Sequence, residues 1–436
     1  MQVRPRIRQP VPIMNDFGVS DLPPGLESLA RALCAWVRLG NSARLERWFA
    51  RELEADGAPI RLSIPDWRQC VRGLAEARHC RPGWSKRVDR HALALLRSLL
   101  RFSRPAGTAT TDFDAVELDA GYRTSLAQLA RAYARSGEAR VIGWWLSLPD
   151  AWHVPPPLPA WSSSRHVLAV LRGGWQKRDD LLVVDHRRRE PQTRFELMGS
   201  GYSWLGPNWR LTSTVAALSS ARPGSWISNS VADLLEWSYR SSGLRCTRTA
   251  LLLRGRKMAL LGDQIDGKDL RGRPLETEFD LPAGVTAEPI PGCRGLLLRT
   301  SSGRATAQVL PVALPAVPYE TDRGQFRVLD DHRHLTLSCM ARGGRCWLPL
   351  LVSWDPRRHR KRLSWRVLTV AQDSKVCAQD VAFAVRVSWG RDDTLVIYRS
   401  LGPSAPRSFL GYQTKARFLL GRFTNEGDVE PLLSVD

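Results

Sequence analysis

The spacing of apolar residues changes once along this chain, at the proline-rich stretch 153–161. Before this stretch, apolar residues recur at i, i+3, i+4 and i+7, which is the period of an amphipathic helix. After it, short alternating segments rich in Val, Leu, Thr and Trp run to the C-terminus, separated by Gly and Pro. The pattern predicts an all-α part followed by a much longer all-β part.

The length of the chain supports a division into domains. Its 436 residues exceed the size at which a single hydrophobic core keeps growing, so at least two domains are expected. The predicted boundaries give a flexible basic N-terminus at 1–19, an α-helical domain at 20–152, a Pro-rich linker at 153–162 and an antiparallel β-sandwich domain at 163–436.

Six helices are predicted in the first part. Their apolar faces begin at Leu26, Leu45, Trp67, Leu93, Tyr122 and Val141. Gly40 is placed to end the first helix, and Asp89 is placed to cap the fourth. Short links between the helices indicate an array of antiparallel helix pairs.

Strand patterns recur throughout the second part, and no segment of helical length and period interrupts them. The segments Cys246–Arg254 and Lys257–Ile265 flank a Gly255-Arg256 turn and predict a long hairpin. Parallel βαβ units are excluded in practice, because they need helical crossovers. The number of strands favours an antiparallel sandwich larger than an immunoglobulin domain.

The formal net charge of +21 raises the question of a polyanionic partner. Only seven of the 64 basic residues are Lys, a skew that a GC-rich coding sequence also produces. The charge is spread evenly over both parts, whereas a dedicated nucleic-acid surface usually concentrates it on one element. General basicity and a specific polyanion site therefore both stay open.

Two runs of basic residues are candidates for binding phosphate, sulfate or uronate groups through Arg forks. One is Asp185–Arg189, and the other is Pro356–Arg362. Both are also compatible with solvated loops that prevent the edges of sheets from pairing.

His332-Arg333-His334 follows Asp330-Asp331 in a strand-like stretch. Residues two apart on a strand face the same side, so His332, His334 and Asp330 are candidate metal ligands. A structural zinc site needs four ligands, and the alternative is a pair of solvated histidines. No other cofactor is expected.

Polar and aromatic residues cluster between Gly199 and Leu211. The cluster comprises Tyr202, Trp204, Asn208, Trp209 and Arg210. Such residue types suit a sugar site, because an indole stacks on a pyranose ring and an arginine pairs with a carboxylate. A loop that contributes its aromatic side chains to the core is the alternative.

Several classes of enzyme are disfavoured. The chain has no GxSxG, phosphate-loop, dinucleotide-binding or HExxH motif. Its eight cysteines form no CxxC pair, and Cys339 and Cys346 flank an Arg-Gly-Gly-Arg turn without a clear pairing register. No signal peptide or transmembrane segment is recognised, so a cytoplasmic location is expected.

The order of these features resembles the heparinase II/III-like family of polysaccharide lyases, which pair an incomplete helical toroid with a long antiparallel β super-sandwich. The resemblance rests on the opening strand 167–172 after the Pro-rich linker, the hairpin 247–263 and the late strand 395–399. The family's His-x-His-x-x-Asp stretch is not found, because the corresponding region reads His186-Arg187-Arg188-Arg189-Glu190-Pro191.

The resemblance implies a protein that engages an acidic polysaccharide, either as a diverged lyase or as a non-catalytic binder. For a lyase, Tyr202 or His186 is the candidate base, and Arg188 or Arg210 is the candidate carboxylate clamp. Trp204, Asn208 and Trp209 would bind the sugar. The alternatives are a basic module that binds nucleic acid or another polyanion without catalysis, and a scaffold with no small ligand.

Overall fold

The computed structural model describes residues 24–60, 64–81, 83–102, 159–163, 168–175, 178–187, 192–212, 221–241, 243–319, 322–329 and 333–436. The chain divides into two compact units, Met1–Leu158 and Pro159–Asp436. Several predictions lie outside the described residues: the N-terminus 1–19, the fifth and sixth helices, most of the linker, and the candidate site residues Arg188, Asp330 and His332.

Four helices are described in the first unit. They are α1 (Pro24–Leu39), α2 (Ala43–Glu52), α3 (Ile64–Cys80) and α4 (Lys86–Arg101). Helix α1 packs against α2 and α3, and α4 packs against the same two helices. The apolar faces of these helices are largely buried, and Gly40 ends α1 with φ +69° while its N–H donates to the Trp36 carbonyl.

The predicted start of the fourth helix was wrong by four residues, because the cap is Ser85 rather than Asp89. Helix α4 begins at Lys86, so Asp89 lies inside its first turn and pairs with Arg78 of α3 instead of capping the helix. The hydroxyl of Ser85 accepts a 3.3 Å hydrogen bond from the Val88 N–H and takes the capping role.

The second unit contains 26 described strands. They are β1 (Trp161–Ser162), β2 (Leu168–Arg172), β3 (Leu181–Asp185), β4 (Gln192–Gly199), β5 (Tyr202–Leu205), β6 (Asn208–Leu211), β7 (Arg222–Ser228), β8 (Ala232–Ser241), β9 (Leu244–Leu253), β10 (Met258–Asp266), β11 (Pro274–Asp280), β12 (Val285–Pro289), β13 (Leu296–Thr300), β14 (Thr306–Leu310), β15 (Gly324–Val328), β16 (His334–Met340), β17 (Arg345–Ser353), β18 (Leu363–Leu368), β19 (Ala371–Gln372), β20 (Lys375–Val376), β21 (Ala382–Trp389), β22 (Asp393–Ser400), β23 (Arg407–Phe409), β24 (Tyr412–Thr414), β25 (Phe418–Phe423) and β26 (Val429–Val435).

These strands form four antiparallel sheets. The first sheet has the order β1-β2-β3-β4-β6-β11-β16-β15, with β5 paired to β4, and the second has the order β12-β13-β14-β17-β10-β9-β8-β7. The third sheet is β18-β21-β22-β25-β26, and the fourth is β20-β19-β23-β24. The predicted hairpin is confirmed as β9–β10, with Leu253 opposite Met258.

Three hydrophobic cores join the sheets in series. One core lies between the first and second sheets, another between the second and third, and a smaller one between the third and fourth. The second sheet is therefore covered on both faces. In β9, Ala250 and Leu252 enter one core while Leu251 and Leu253 enter the other, as the period of two along a strand requires.

The antiparallel, β-rich architecture predicted from the sequence is thus confirmed as a stack of sheets. Among the helices that the structure describes, none combines the length and apolar character needed to cross a membrane.

Candidate functional site

Polar side chains meet on the solvent-facing side of the first sheet, where β6, β11 and β16 lie side by side. We call Asn208, Arg210, Glu278, Asp280 and His334 the outer polar cluster. Arg210 stands opposite Glu278 in the β6–β11 pair, and Asp280 stands opposite His334 in the β11–β16 pair. The cluster unites three candidates from the sequence: Asn208 and Arg210 on β6, and His334 on β16, with β11 between the two strands.

Arg210 is held by two carboxylates. Its guanidinium donates to Oδ1 of Asp280 at 2.6 Å and to Oδ2 at 3.2 Å, and it also pairs with Glu278. Asn208 Nδ2 donates to Asp280 Oδ2 at 2.6 Å. The candidate carboxylate clamp is therefore already paired with carboxylates of the protein itself.

His334 completes the cluster. Its Nδ1 lies 2.9 Å from Asp280 Oδ1 and 3.4 Å from Glu278 Oε1. One donor atom from each of these three residues lies within 4.8 Å of the others, a spacing that can serve a metal ion. Because Arg210 donates to the same two carboxylates, a divalent cation would have to displace its guanidinium to bind there.

A tight turn positions Asn208 and Arg210. Gly206, between β5 and β6, has φ +133°, and a Cβ at this position would lie 2.6 Å from the Phe195 carbonyl oxygen. Only glycine fits this close approach. The Gly206 N–H donates to the Asp280 carbonyl at 2.9 Å, which fixes the turn against the end of β11.

Directly beneath the outer polar cluster, a second ion pair is sealed between the first and second sheets. Arg248 donates to Asp263 at 2.8 Å, and both side chains are 0% exposed. The other carboxylate oxygen of Asp263 accepts from Trp209 Nε1 and from the Thr277 hydroxyl, each at 2.8 Å. Burial lowers the pKa of the Arg248 guanidinium, but the charge of Asp263, its hydrogen bond and further neighbours act together against burial, and the net shift of the pKa is upward.

His186, a candidate base, belongs to this buried network. Its Nδ1 lies 2.9 Å from the Thr193 hydroxyl, which also accepts a 2.6 Å hydrogen bond from Arg248. Burial and then the positive charge of Arg248 lower the pKa of His186 to about 3, so the imidazole is neutral near pH 7. The imidazole is enclosed between the sheets rather than presented to solvent.

The aromatic candidates divide between core and surface. Trp204 and Trp209 are 1% and 0% exposed and belong to the core between the first two sheets, while Asn208 and Arg210, on the other face of β6, are half-buried. Tyr202 of β5 is also half-buried, with its ring 5.9 Å from that of Trp204. The structure therefore does not bring these five residues onto one surface.

In the described part of the two basic runs, some arginines pair with carboxylates of the protein and others are exposed. Arg187 pairs with Asp185 at 2.7 Å. Arg358 is buried, pairs with Asp393 at 2.7 Å and stacks on Trp389. Arg357 and Arg360, in contrast, are exposed.

A positively charged cavity opens between β7, β8 and β9 in the second sheet. We call it the Tyr239 cavity; it is lined by Arg222, Ser238, Tyr239, Arg240 and Arg245 and encloses about 360 Å³ including its open mouth. Arg222 and Arg245 form no salt bridge with any residue in the described ranges. Among the described residues, the buried Tyr239 hydroxyl has no oxygen or nitrogen partner, and the Cys246 sulfur, a weak acceptor, lies beside it.

Sequence reasoning missed this cavity and the acidic half of the outer polar cluster. Glu278 and Asp280 are on a strand that the pattern did not predict, and they are 68 and 70 residues from Arg210. The arginines of the Tyr239 cavity are isolated in the sequence and converge only through the β7–β8–β9 pairing. The alternation Glu276-Thr277-Glu278-Phe279-Asp280 was the one local signal available for β11.

Comparisons with known proteins identify the class of architecture. No protein-family model matches the chain, and no curated protein sequence matches it. Solved structures do match. The heparan sulfate lyase HepC from Pedobacter heparinus superposes with a TM-score of 0.64 at 14% identity, covering 87% of this chain and 66% of that one. A mutant of the same lyase gives 0.62 at 13% identity, covering 89% and 65%.

A crystal structure of heparinase III gives a TM-score of 0.62 at 12% identity, covering 86% of this chain and 66% of that chain. The chain thus spans about two thirds of the length of these proteins. At such identities the likeness establishes the fold alone, which is heparinase-like.

Proposed function

We propose that this chain engages an acidic polysaccharide. The observation that carries the proposal is the heparinase-like fold, because the match covers 86–89% of this chain and its structural neighbours include proteins described as heparan sulfate lyases. The net charge of +21 favours a polyanionic ligand of this kind.

The Tyr239 cavity supports the proposal with a place for an anionic group. Arg222 and Arg245 are exposed at its mouth and unbridged within the described chain. Arginine forks match the oxygens of sulfate and carboxylate groups, and three arginines line this cavity. The outer polar cluster is less suited to an anion, because its two carboxylates already pair with Arg210.

Binding to heparan sulfate tests this assignment. An Arg222→Ala/Arg245→Ala variant is expected to bind at least about tenfold more weakly, because each hydrogen bond from a charged group contributes about 1.5–3 kcal/mol. The matched control, Arg357→Ala/Arg360→Ala, removes the same charge from an exposed loop and should bind nearly as well as the wild type.

Equally weakened binding of heparan sulfate in both variants would show that general basicity, and not the Tyr239 cavity, binds the ligand. That result would favour the polyanion hypothesis. Absence of binding at low salt, with the protein shown to be folded, would overturn the polysaccharide proposal. Steep weakening on adding salt is expected for any polyanion and does not by itself discriminate.

Catalysis by β-elimination is the finer part of the proposal, with Tyr202 as the base. The reaction needs a group that removes the proton α to a uronate carboxylate while the glycosidic oxygen departs. Tyr202 is half-buried on a short strand, whereas His186 is buried and neutral. Tyr202 is therefore the better placed of the two candidate bases.

An absorbance assay for unsaturated uronate tests the lyase hypothesis on a panel of acidic polysaccharides. Activity should be lost in Tyr202→Phe, which removes only the hydroxyl and leaves the ring in contact with Trp204. Wild-type activity that persists in this variant would remove Tyr202 as the base. If the folded wild type produces no absorbance change with any polysaccharide of the panel, the lyase hypothesis fails and a non-catalytic binder is the hypothesis that is left.

The incomplete toroid is also a proposal. The four described helices pack in pairs, as a toroid of helical hairpins requires. Two further helices, near Tyr122 and Val141, are expected to continue the same pairing; NMR chemical shifts that indicate an extended conformation for this segment would contradict it.

A further inference from the structure

Two cysteines from different sheets meet at one cavity. Cys339 is on β16 in the first sheet, and Cys346 is on β17 in the second. Both line a cavity of about 470 Å³, open to solvent, together with Arg323, Arg342 and Arg345. We call it the dithiol cavity. Both thiols are free and each shifts the pKa of the other, Cys346 being buried and Cys339 half-buried.

The backbone between the cysteines is fixed at both ends. The Ala341 N–H donates to the Arg273 carbonyl at 3.0 Å, and its carbonyl accepts from Gly272 at 2.7 Å. The Gly344 carbonyl accepts from Gly267 at 3.0 Å, and the Gly344 N–H donates to Asp380 at 3.1 Å. The short connection between the cysteines is therefore held in place, and both thiols line the same cavity without a covalent bond.

The surroundings favour the thiolate at Cys339. The hydrogen bond from Cys346 lowers the pKa of the Cys339 thiol against the effect of burial, and Arg342 and Arg323 lower it further. The same hydrogen bond, together with burial, raises the pKa of Cys346. One thiol is thus suited to attack as a thiolate, and its neighbour is retained as a protonated thiol.

We propose that Cys339 and Cys346 form a redox-active dithiol that closes to a reversible disulfide between the first and second sheets. With hydrogen peroxide as oxidant, the Cys339 thiolate attacks one peroxide oxygen and forms a sulfenic acid as the O–O bond breaks, releasing water after proton transfer. The Cys346 sulfur then attacks the sulfenic sulfur, the S–O bond breaks, and a second water leaves. Two thiols and one hydrogen peroxide thereby give one disulfide and two waters.

Treatment of the reduced full-length protein with hydrogen peroxide, followed by alkylation and peptide mass spectrometry, tests the pair. The expected product is a peptide linked through residues 339 and 346, with the protein 2 Da lighter and restored by dithiothreitol. Cys293 is the matched control, since it is half-buried and burial raises its pKa. Cys339 should react at least about tenfold faster than Cys293, because the thiolate is the nucleophile.

Substitution of the resolving thiol separates the two steps. In Cys346→Ser, dimedone should trap the sulfenic acid at Cys339, and Arg342→Ala should slow its formation several-fold by removing a nearby positive charge. Failure to find the 339–346 link in the oxidised wild type, or equal reaction rates at Cys339 and Cys293, would overturn the proposal. Both results come from the wild-type protein and do not depend on how the variants fold.

Discussion

Three arginine–carboxylate pairs of the β unit form a series in exposure. Arg248–Asp263 is sealed, with both side chains 0% exposed; Arg210–Asp280 is intermediate, at 30% and 9%; Arg299–Glu288 is open, at 43% and 55%. The chemistry of the pairs is nearly the same. Their surroundings differ, and the surroundings decide what each pair can do.

The sealed pair, Arg248–Asp263, has a structural role only: it links the first and second sheets. Asp263 accepts from Arg248, Trp209 and Thr277, and it thereby ties β6 and β11 of the first sheet to β9 and β10 of the second. The intermediate pair faces solvent, and Asp280 there also receives hydrogen bonds from Asn208 and His334. Of these two, only the intermediate pair can exchange a protein partner for a ligand without opening the core.

Removing the charge of Asp263 is expected to have the largest effect. Asp263→Asn leaves Arg248 charged and buried without a counterion, which typically costs about 3–5 kcal/mol in the free energy of unfolding. Urea denaturation followed by tryptophan fluorescence measures this loss. Breaking the intermediate pair should cost clearly less.

The double variant Arg248→Met/Asp263→Leu is the control for the origin of this cost. It removes both charges together, and replacement of a buried ion pair by apolar side chains is often nearly neutral. Equal destabilisation in the single and double variants would assign the cost to lost packing rather than to the unpaired charge.

A pH dependence is also expected beside the sealed pair, because burial and then the charge of Arg248 lower the pKa of His186 to about 3. Between this value and the ordinary 6.5, the unfolded chain binds a proton that the folded protein does not. Stability from this group is therefore complete above pH 6.5 and falls on acidification, by up to about 1.4 kcal/mol per pH unit. His186→Asn should flatten the profile of unfolding free energy between about pH 6.5 and about pH 5.

Asp180 provides a control, because its contribution to stability changes with pH in the opposite direction to that of His186. Burial raises its pKa to about 6, against hydrogen bonds from Trp354 and Ser200. Because the folded state holds this proton more tightly, its contribution is present at low pH and is lost as pH rises through about 6. Asp180→Asn should therefore steepen the acid loss of stability, and an identical response in both variants would refute the assignment.

The intermediate pair should give a smaller loss of stability and a gain of function. Arg210→Met leaves Glu278 and Asp280 facing each other without the guanidinium, at a cost of about 1–2 kcal/mol. The freed carboxylates and His334 should then bind Mn²⁺. Calorimetric titration with Mn²⁺ measures this, and the wild type should bind at least about tenfold more weakly because Arg210 competes for the same oxygens.

Arg210→Met/His334→Ala identifies the ligand set, since it should lose the acquired affinity for Mn²⁺. Tight binding in this double variant would place the metal elsewhere. Tight binding in the wild type would show that a cation displaces Arg210 readily, and would strengthen the metal hypothesis for His334.

The fold was more predictable from the sequence than the site. Leu251, Leu252 and Leu253 are apolar in succession because β9 is covered on both faces, and such a run is visible in the sequence without knowledge of the register. Strand β11 alternates Glu276, Thr277 and Glu278. Because one of its faces is polar, its sequence is similar to that of a loop and was not recognised as a strand. A strand with one solvated face is therefore harder to recognise from the pattern than one buried on both sides.

The site depends on contacts that local sequence does not encode. Arg210 and Asp280 meet because β6 pairs with β11, a choice made by packing of the whole sheet. The alternation within β6 does separate Trp209 from Asn208 and Arg210, so the sequence alone could have divided the predicted sugar cluster into two faces. It could not indicate that Glu278 and Asp280 already hold the arginine.

The open pair, Arg299–Glu288, should contribute least of the three pairs to the free energy of unfolding. Arg299 donates to Glu288 at 2.9 Å across the β12–β13 hairpin, but water competes at both side chains. Arg299→Ala is expected to change the free energy of unfolding by less than about 0.5 kcal/mol, since exposed pairs contribute little after screening. Urea denaturation at low and at high salt measures it. If Arg299→Ala lowers the free energy of unfolding as much as Arg210→Met does, exposure does not determine how much these pairs contribute. The larger structural role assigned to the buried pair would then lose its support.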